Sequence, residues 1–154
     1  MPTFNAMPQK RNILLSDDDN DDCSLFLEAL EEVKCDADVT IARDGVTLMQ
    51  ALDASADEKP EVIFLDLNMP RKNGFECLHE IRKSLVFGQI PIVIYTTSNS
   101  SDIIEKVYEE GANLYMTKPS SFSLLKKTLA YVLSLAPEEL NRKPSRERFV
   151  VTVA

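Results

Sequence analysis

The chain has 154 residues, 44% of them apolar and 27% charged, with 25 acids against 17 bases and a formal net charge of −8. This is the mix of one ordinary globular domain. It excludes collagenous, low-complexity and disordered classes, and with no basic patch segregated inside the domain it argues against a nucleic-acid partner. No apolar run approaches the roughly 20 residues of a membrane helix, and Met1 to Arg11 lacks the apolar core of a signal peptide. Cys23, Cys35 and Cys77 form no CxxC pair, so the expectation is a cytoplasmic protein without disulfides or a zinc site.

Short apolar runs and helical stripes alternate along the chain. Ile13-Leu14-Leu15 ends abruptly in acids, and Leu25, Phe26, Ala29, Leu30 and Val33 then recur at helical spacing, with Asn20 or Asp21 as the N-cap. Val39 and Ile41 alternate with polar residues, the pattern of a strand nearer a sheet edge. After Asp44-Gly45, a second helical stripe runs through Val46, Met49 and Leu52. Pro60 precedes Val62-Ile63-Phe64-Leu65, and Phe75, Leu78, Ile81 and Leu85 mark a third helix. Pro91 opens Ile92-Val93-Ile94-Tyr95, followed by a short helix through Ile103, Ile104 and Val107 that Gly111 stops. Leu114-Tyr115-Met116 is the last core run, and Ser121 caps a final helix through Leu124, Leu125, Leu129, Val132 and Leu133.

Strands that are apolar throughout are buried on both faces, as in a parallel sheet covered by helices. The expected fold is therefore α/β, a doubly wound five-stranded parallel sheet sandwiched by five helices. Residues 1–11 read as a mobile lead-in, 12–136 as the domain and 137–154 as a tail without helical pattern. Within the tail, Phe149 to Val153 reads either as an added strand on a sheet edge or as a frayed end.

Ligands of such sheets bind beyond the carboxyl ends of the strands. There the sequence sets Ser16-Asp17-Asp18-Asp19 after the first run and Asp66-Leu67-Asn68-Met69-Pro70 after the third. Thr96-Thr97-Ser98 follows the fourth run and Thr117-Lys118-Pro119 the fifth. Crowded carboxylates repel unless a cation neutralises them, and hard oxygen ligands suit Mg²⁺. Lys118 faces them with a positive charge. A cation opposite an ammonium, with hydroxyl donors between, suits a phosphoryl group, and Asp66, after the most apolar strand, is the natural nucleophile. Singly, each feature reads as a cap or turn residue; their conjunction at four strand ends is what points to a site.

Those residues carry a resemblance. The acidic pair, Asp-Leu-Asn-Met-Pro with Asn73-Gly74, the Thr-Thr pair and Lys-Pro make the stretch from Asn12 to about Ala136 similar to the receiver domain of two-component response regulators, of the single-domain chemotaxis type. The resemblance implies the flavodoxin-like receiver topology and Asp66 as the phospho-accepting aspartate. It implies Mg²⁺ as cofactor, held by Asp18 directly, by Asp17 through water, by Asp66 and by the backbone carbonyl of Asn68. Lys118 takes the place of the lysine that pairs with a phosphoryl oxygen, Thr96 that of the switch hydroxyl and Tyr115 that of the aromatic switch. Thr97 falls where a backbone N–H faces the phosphoryl group, and the Lys118–Pro119 bond where the family has a cis peptide. Ser16 departs from the usual apolar residue before the acidic pair.

The implied function is that of a stand-alone response regulator. It accepts a phosphoryl group from a sensor histidine kinase of the phytochrome or hybrid type, and it signals to an unnamed protein target by a conformational switch. A phosphorelay intermediate or phosphate sink is the alternative output, and a homodimer is compatible. The chain then catalyses its own phosphotransfer and dephosphorylation and is otherwise not an enzyme. The roughly 18 residues after Ala136 are too few for a DNA-binding domain. A haloacid-dehalogenase-type phosphatase needs a second Asp where this chain has Asn68, and a flavin or nucleotide module of the same topology needs a Gly- or Ser/Thr-rich first loop. His79 reads as a surface residue and the three cysteines as packing residues.

Overall fold

The computed structural model describes residues 10–153. In chain order the elements are β1 (Arg11–Ser16), α1 (Asn20–Glu32), β2 (Ala37–Ala42), α2 (Gly45–Ala54), β3 (Val62–Leu65) and α3 (Gly74–Lys83). Then come β4 (Ile92–Thr96), α4 (Ser101–Glu109), β5 (Leu114–Thr117), α5 (Phe122–Ser134), α6 (Pro137–Asn141) and α7 (Arg146–Phe149). The sheet order is β2-β1-β3-β4-β5, and every pairing is parallel. Alternate side chains of each central strand enter two separate cores. Leu14, Ile63, Leu65, Ile92, Ile94 and Tyr115 pack against α2, α3 and α4, whereas Ile13, Leu15, Val62, Phe64, Val93 and Met116 pack against α1 and α5. This two-sided burial is why β3 is apolar at every position and β4 from Ile92 to Tyr95, while β2 at the edge alternates half-buried and exposed residues. Among the described residues no helix is long and apolar enough to cross a membrane.

Several expectations need correcting. The N-cap of α1 is Asp19, whose carboxylate accepts from the Asp22 N–H at 3.0 Å; in a run of acids any one can cap, and the backbone decides. The buried line of α2 runs through Leu48 and Leu52, with Val46 and Met49 half-buried. Leu25 is substantially exposed, and Leu85 lies beyond the end of α3, fully exposed. Arg11, assigned to the lead-in, opens β1 and pairs with Glu61 at 2.7 Å; residues 1–9 of that lead-in lie outside the described residues. The tail is partly helical: Pro137 at the first turn starts α6, and Leu140 and Phe149 anchor α6 and α7 in the cores. Of the stretch read as a strand, Val150 makes a single parallel bridge to Tyr115. The described residues contain no cis peptide, so Lys118–Pro119 is trans, and the lysine reaches inward without it.

Candidate functional site

β1, β3, β4 and β5 are in parallel register, so their carboxyl ends lie side by side: Ser16 pairs with Leu65, Leu65 with Ile94, and Thr96 with Thr117. Beyond that rim the chain must leave the sheet, and its polar residues converge. The Asp66 N–H continues the ladder to the Ser16 carbonyl (2.9 Å), and the Asp17 N–H does the same to Ala42 (3.0 Å). Both carboxylates are thereby fixed to strand backbone rather than to mobile loops. Asp17 has no exposed surface and Asp66 is nearly buried, while Asp18 is exposed.

Asp66 is fully engaged. Its Oδ1 accepts from the Thr96 hydroxyl at 2.9 Å and from the Asn68 N–H at 3.2 Å; its Oδ2 accepts from Lys118 Nζ at 3.1 Å. The lysine is shared: Nζ also donates to Asp22 Oδ2 at 2.8 Å and lies 2.8 Å from Asp17 Oδ2. Burial works against its charge, but the adjacent Asp17, Asp22 and Asp66 carboxylates outweigh it and hold the ammonium protonated. Its own N–H donates to the Thr96 carbonyl at 2.7 Å, which aims the side chain back over the rim with a trans peptide following. Asp22 is a participant that sequence reading passed over. The available signal was its place in the first turn of α1, next to the acidic loop.

The loops are held from below. Gly74 passes so close to the Asp66 carbonyl that a Cβ would sit 2.3 Å from its oxygen. Asn73 and Glu76 form a reciprocal capping box that starts α3. Arg71 takes a left-handed φ of 65° and reaches Asp44 at 3.1 Å, tying the β3–α3 loop to α2; the Thr47 N–H, and after it the Arg71 guanidinium, hold the Asp44 carboxyl below its usual range. Ser16, the departure from the expected apolar residue, donates its buried hydroxyl to the Met69 sulfur at 3.0 Å and so joins the first rim loop to the β3–α3 loop.

One group is poorly satisfied. Asp17 Oδ2 is buried and has no hydrogen-bond partner among the described residues, although the Lys118 ammonium lies 2.8 Å from it as an ion pair. Burial pushes the Asp17 carboxyl up from 3.8 to about 6, against the pull of Lys118 and the Asp19 N–H. A buried carboxylate oxygen left over in this way is what a hard cation would satisfy. Asp17, Asp18 and Asp66 each offer an oxygen within 4.8 Å of the others, a donor set that fits a divalent metal.

The remaining residues flank this centre. Asn68 and Thr97 are exposed on the rim, and Ser98 is half-buried. Tyr115 is buried with its ring turned inward, and its hydroxyl donates to the Ser98 carbonyl at 2.7 Å. His79 is exposed on α3, 3.1 Å from Glu110. Cys23 and Cys77 are buried packing residues whose thiols burial pushes up to about 11.

The chain is similar to known proteins. Residues 13–130 match the response regulator receiver domain family. The response regulator Rcp1 of Synechocystis is 37% identical over 110 residues, 69% of this chain and 75% of that protein. The structure of the phosphorylated cyanobacterial phytochrome response regulator RcpA superposes with a TM-score of 0.76 at 32% identity, covering 83% of this chain and 97% of that one. The Mn²⁺-bound form of Rcp1 superposes with a TM-score of 0.74, also at 32% identity, over 82% and 96% of the two chains.

Proposed function

The chain belongs to the response regulator receiver domain family, and from that premise we propose that Asp66 is the residue that accepts the phosphoryl group, from a histidine kinase serving a phytochrome-type or hybrid sensor. Receiver domains are phosphoacceptors of two-component signalling and bind a divalent metal. The observation that carries the residue assignment is the convergence on Asp66 of the Thr96 hydroxyl and the Lys118 ammonium, with Asp17 and Asp18 beside it.

On this reading Asp17, Asp18 and Asp66, with the Asn68 carbonyl, hold Mg²⁺. When bound, the cation supplies positive charge against the carboxylate nucleophile and the phosphoryl oxygens. Lys118 supplies positive charge from the other side, and Asp17 and Asp22 keep that ammonium in place. An Asp66 carboxylate oxygen attacks the phosphorus as its bond to the histidine nitrogen breaks, leaving an acyl phosphate that water later cleaves. The Thr96 hydroxyl, which bonds Asp66 in this structure, and the Thr97 N–H turn to the new phosphoryl oxygens. Tyr115, tied to the loop after Thr96, communicates that position to the face built from α4, β5 and α5. The signal then passes to a protein target, or the phosphoryl group passes to a relay partner. Incubation with acetyl phosphate and Mg²⁺ tests the assignment: the chain gains one phosphoryl mass, Asp66→Asn gains none, and chelation abolishes labelling. Full labelling of the variant would place the acceptor elsewhere.

A further inference from the structure

After α6 the chain turns back over the β5 edge and docks there. Phe149 has no exposed surface; its ring packs edge-to-face on Tyr108 (centroids 5.0 Å apart) and tilted on Tyr115 (6.1 Å). Val150 bridges Tyr115 in parallel, and the Val151 N–H donates to the Tyr115 carbonyl at 2.9 Å. Two contacts outside this strip fasten the segment to α4: the Tyr108 hydroxyl donates to the Pro144 carbonyl at 2.8 Å, and Arg146 pairs with Glu105 at 2.9 Å. Tyr115 is thus held from two sides. Its ring and backbone lie against the tail, and its hydroxyl lies on Ser98, two residues past Thr96 on the β4–α4 loop.

We propose that Phe149 is a positioning residue for phosphoryl-group binding at Asp66. The docked tail fills the space beside Tyr115 and keeps that ring inward. The inward ring holds the β4–α4 loop through the Ser98 carbonyl, and the loop so placed keeps the Thr96 hydroxyl on Asp66. This rests on the reading of Asp66 as acceptor. Removing the Phe149 ring opens a cavity next to Tyr115, frees it to turn outward and lowers the population of the binding-competent loop. Linkage makes the effect reciprocal: an anion bound at Asp66 tightens the tail.

The test is calorimetric titration of the full chain with beryllofluoride in excess Mg²⁺. Phe149→Ala is expected to weaken binding roughly tenfold, within the usual range of coupling between sites, and Phe149→Leu to restore most of it. In a Tyr115→Ala background, Phe149→Ala should add no further loss, since the residue acts through the ring that is gone. Beryllofluoride should also slow hydrogen exchange of the Val151 amide. If Phe149→Ala does not fold, Val151→Pro (which lacks the donated N–H) carries the same comparison. Unchanged affinity in folded Phe149→Ala or Val151→Pro, or an undiminished loss in the Tyr115→Ala background, would overturn the role of the tail and leave Asp66 untouched. Failure of the unmodified chain to bind beryllofluoride would instead remove the acceptor reading itself.

Discussion

Replacing Asp17 with Asn should stabilise the metal-free protein. The carboxyl has no exposed surface, one of its oxygens lacks a hydrogen-bond partner, and burial lifts its pKa from 3.8 to about 6. A group whose folded pKa is raised binds its proton more tightly in the native state. Stability therefore falls as pH rises from about 4 to about 6 and stays lowered above that range. A shift of roughly two pH units corresponds to at most about 3 kcal/mol, and the amide also loses some attraction to Lys118, so a gain of about 1–3 kcal/mol is expected above pH 7. For a domain of this size that is roughly 3–9 °C in Tm. Urea denaturation in EDTA, repeated between pH 4 and pH 8, measures it. The advantage of Asp17→Asn should vanish toward the acid end. Added Mg²⁺ should stabilise the unmodified protein and leave the variant nearly unaffected. A variant less stable than its parent in EDTA, or a difference independent of pH, would refute the picture of Asp17 as a buried charge that Lys118 compensates only in part.

Lys118→Met removes the cation shared by Asp17, Asp22 and Asp66, and should cost about 3 kcal/mol near pH 8. The loss should shrink toward pH 5 as Asp17 protonates; denaturation at the two pH values checks both sign and size. Gly74→Ala drives a Cβ against the Asp66 carbonyl, and should destabilise by more than about 2 kcal/mol while slowing labelling by acetyl phosphate. Asn68 and Ser98 flank the rim, so Asn68→Ala and Ser98→Ala should each change the lifetime of the acyl phosphate by roughly tenfold, about 1.4 kcal/mol of barrier. Unchanged lifetimes, followed by loss of label after the donor is removed, would discount that role.

Much of this architecture is legible in the sequence because it follows from local chemistry. β3, and β4 as far as Tyr95, are apolar since both faces of the sheet are covered, and that same burial leaves Asp66 and Thr96 as the first polar residues at the carboxyl rim. What escapes sequence reading depends on distance in space. Asp22 looks like one more acid in a run, and its pairing with Lys118 joins residues 96 positions apart. The capping role of Asp19 turns on a backbone dihedral that neighbouring acids could equally have adopted. In the tail, α6 and α7 have five and four residues, too short to display a period. Their anchors Leu140 and Phe149 are separated by a polar stretch that reads as a loop. The burial of Phe149 against Tyr108 and Tyr115 exists only once β5 offers its edge.

The most direct measurement is chemical trapping of the phosphorylated residue. Borohydride reduces an aspartyl phosphate to homoserine, so protein treated with acetyl phosphate and Mg²⁺, then reduced and digested, should yield homoserine at position 66 in the peptide mass spectrum. The modification should be absent after chelation. Homoserine at another aspartate, or a stable phosphate on a hydroxyl side chain with position 66 unmodified, would contradict the assignment of Asp66 as the acceptor.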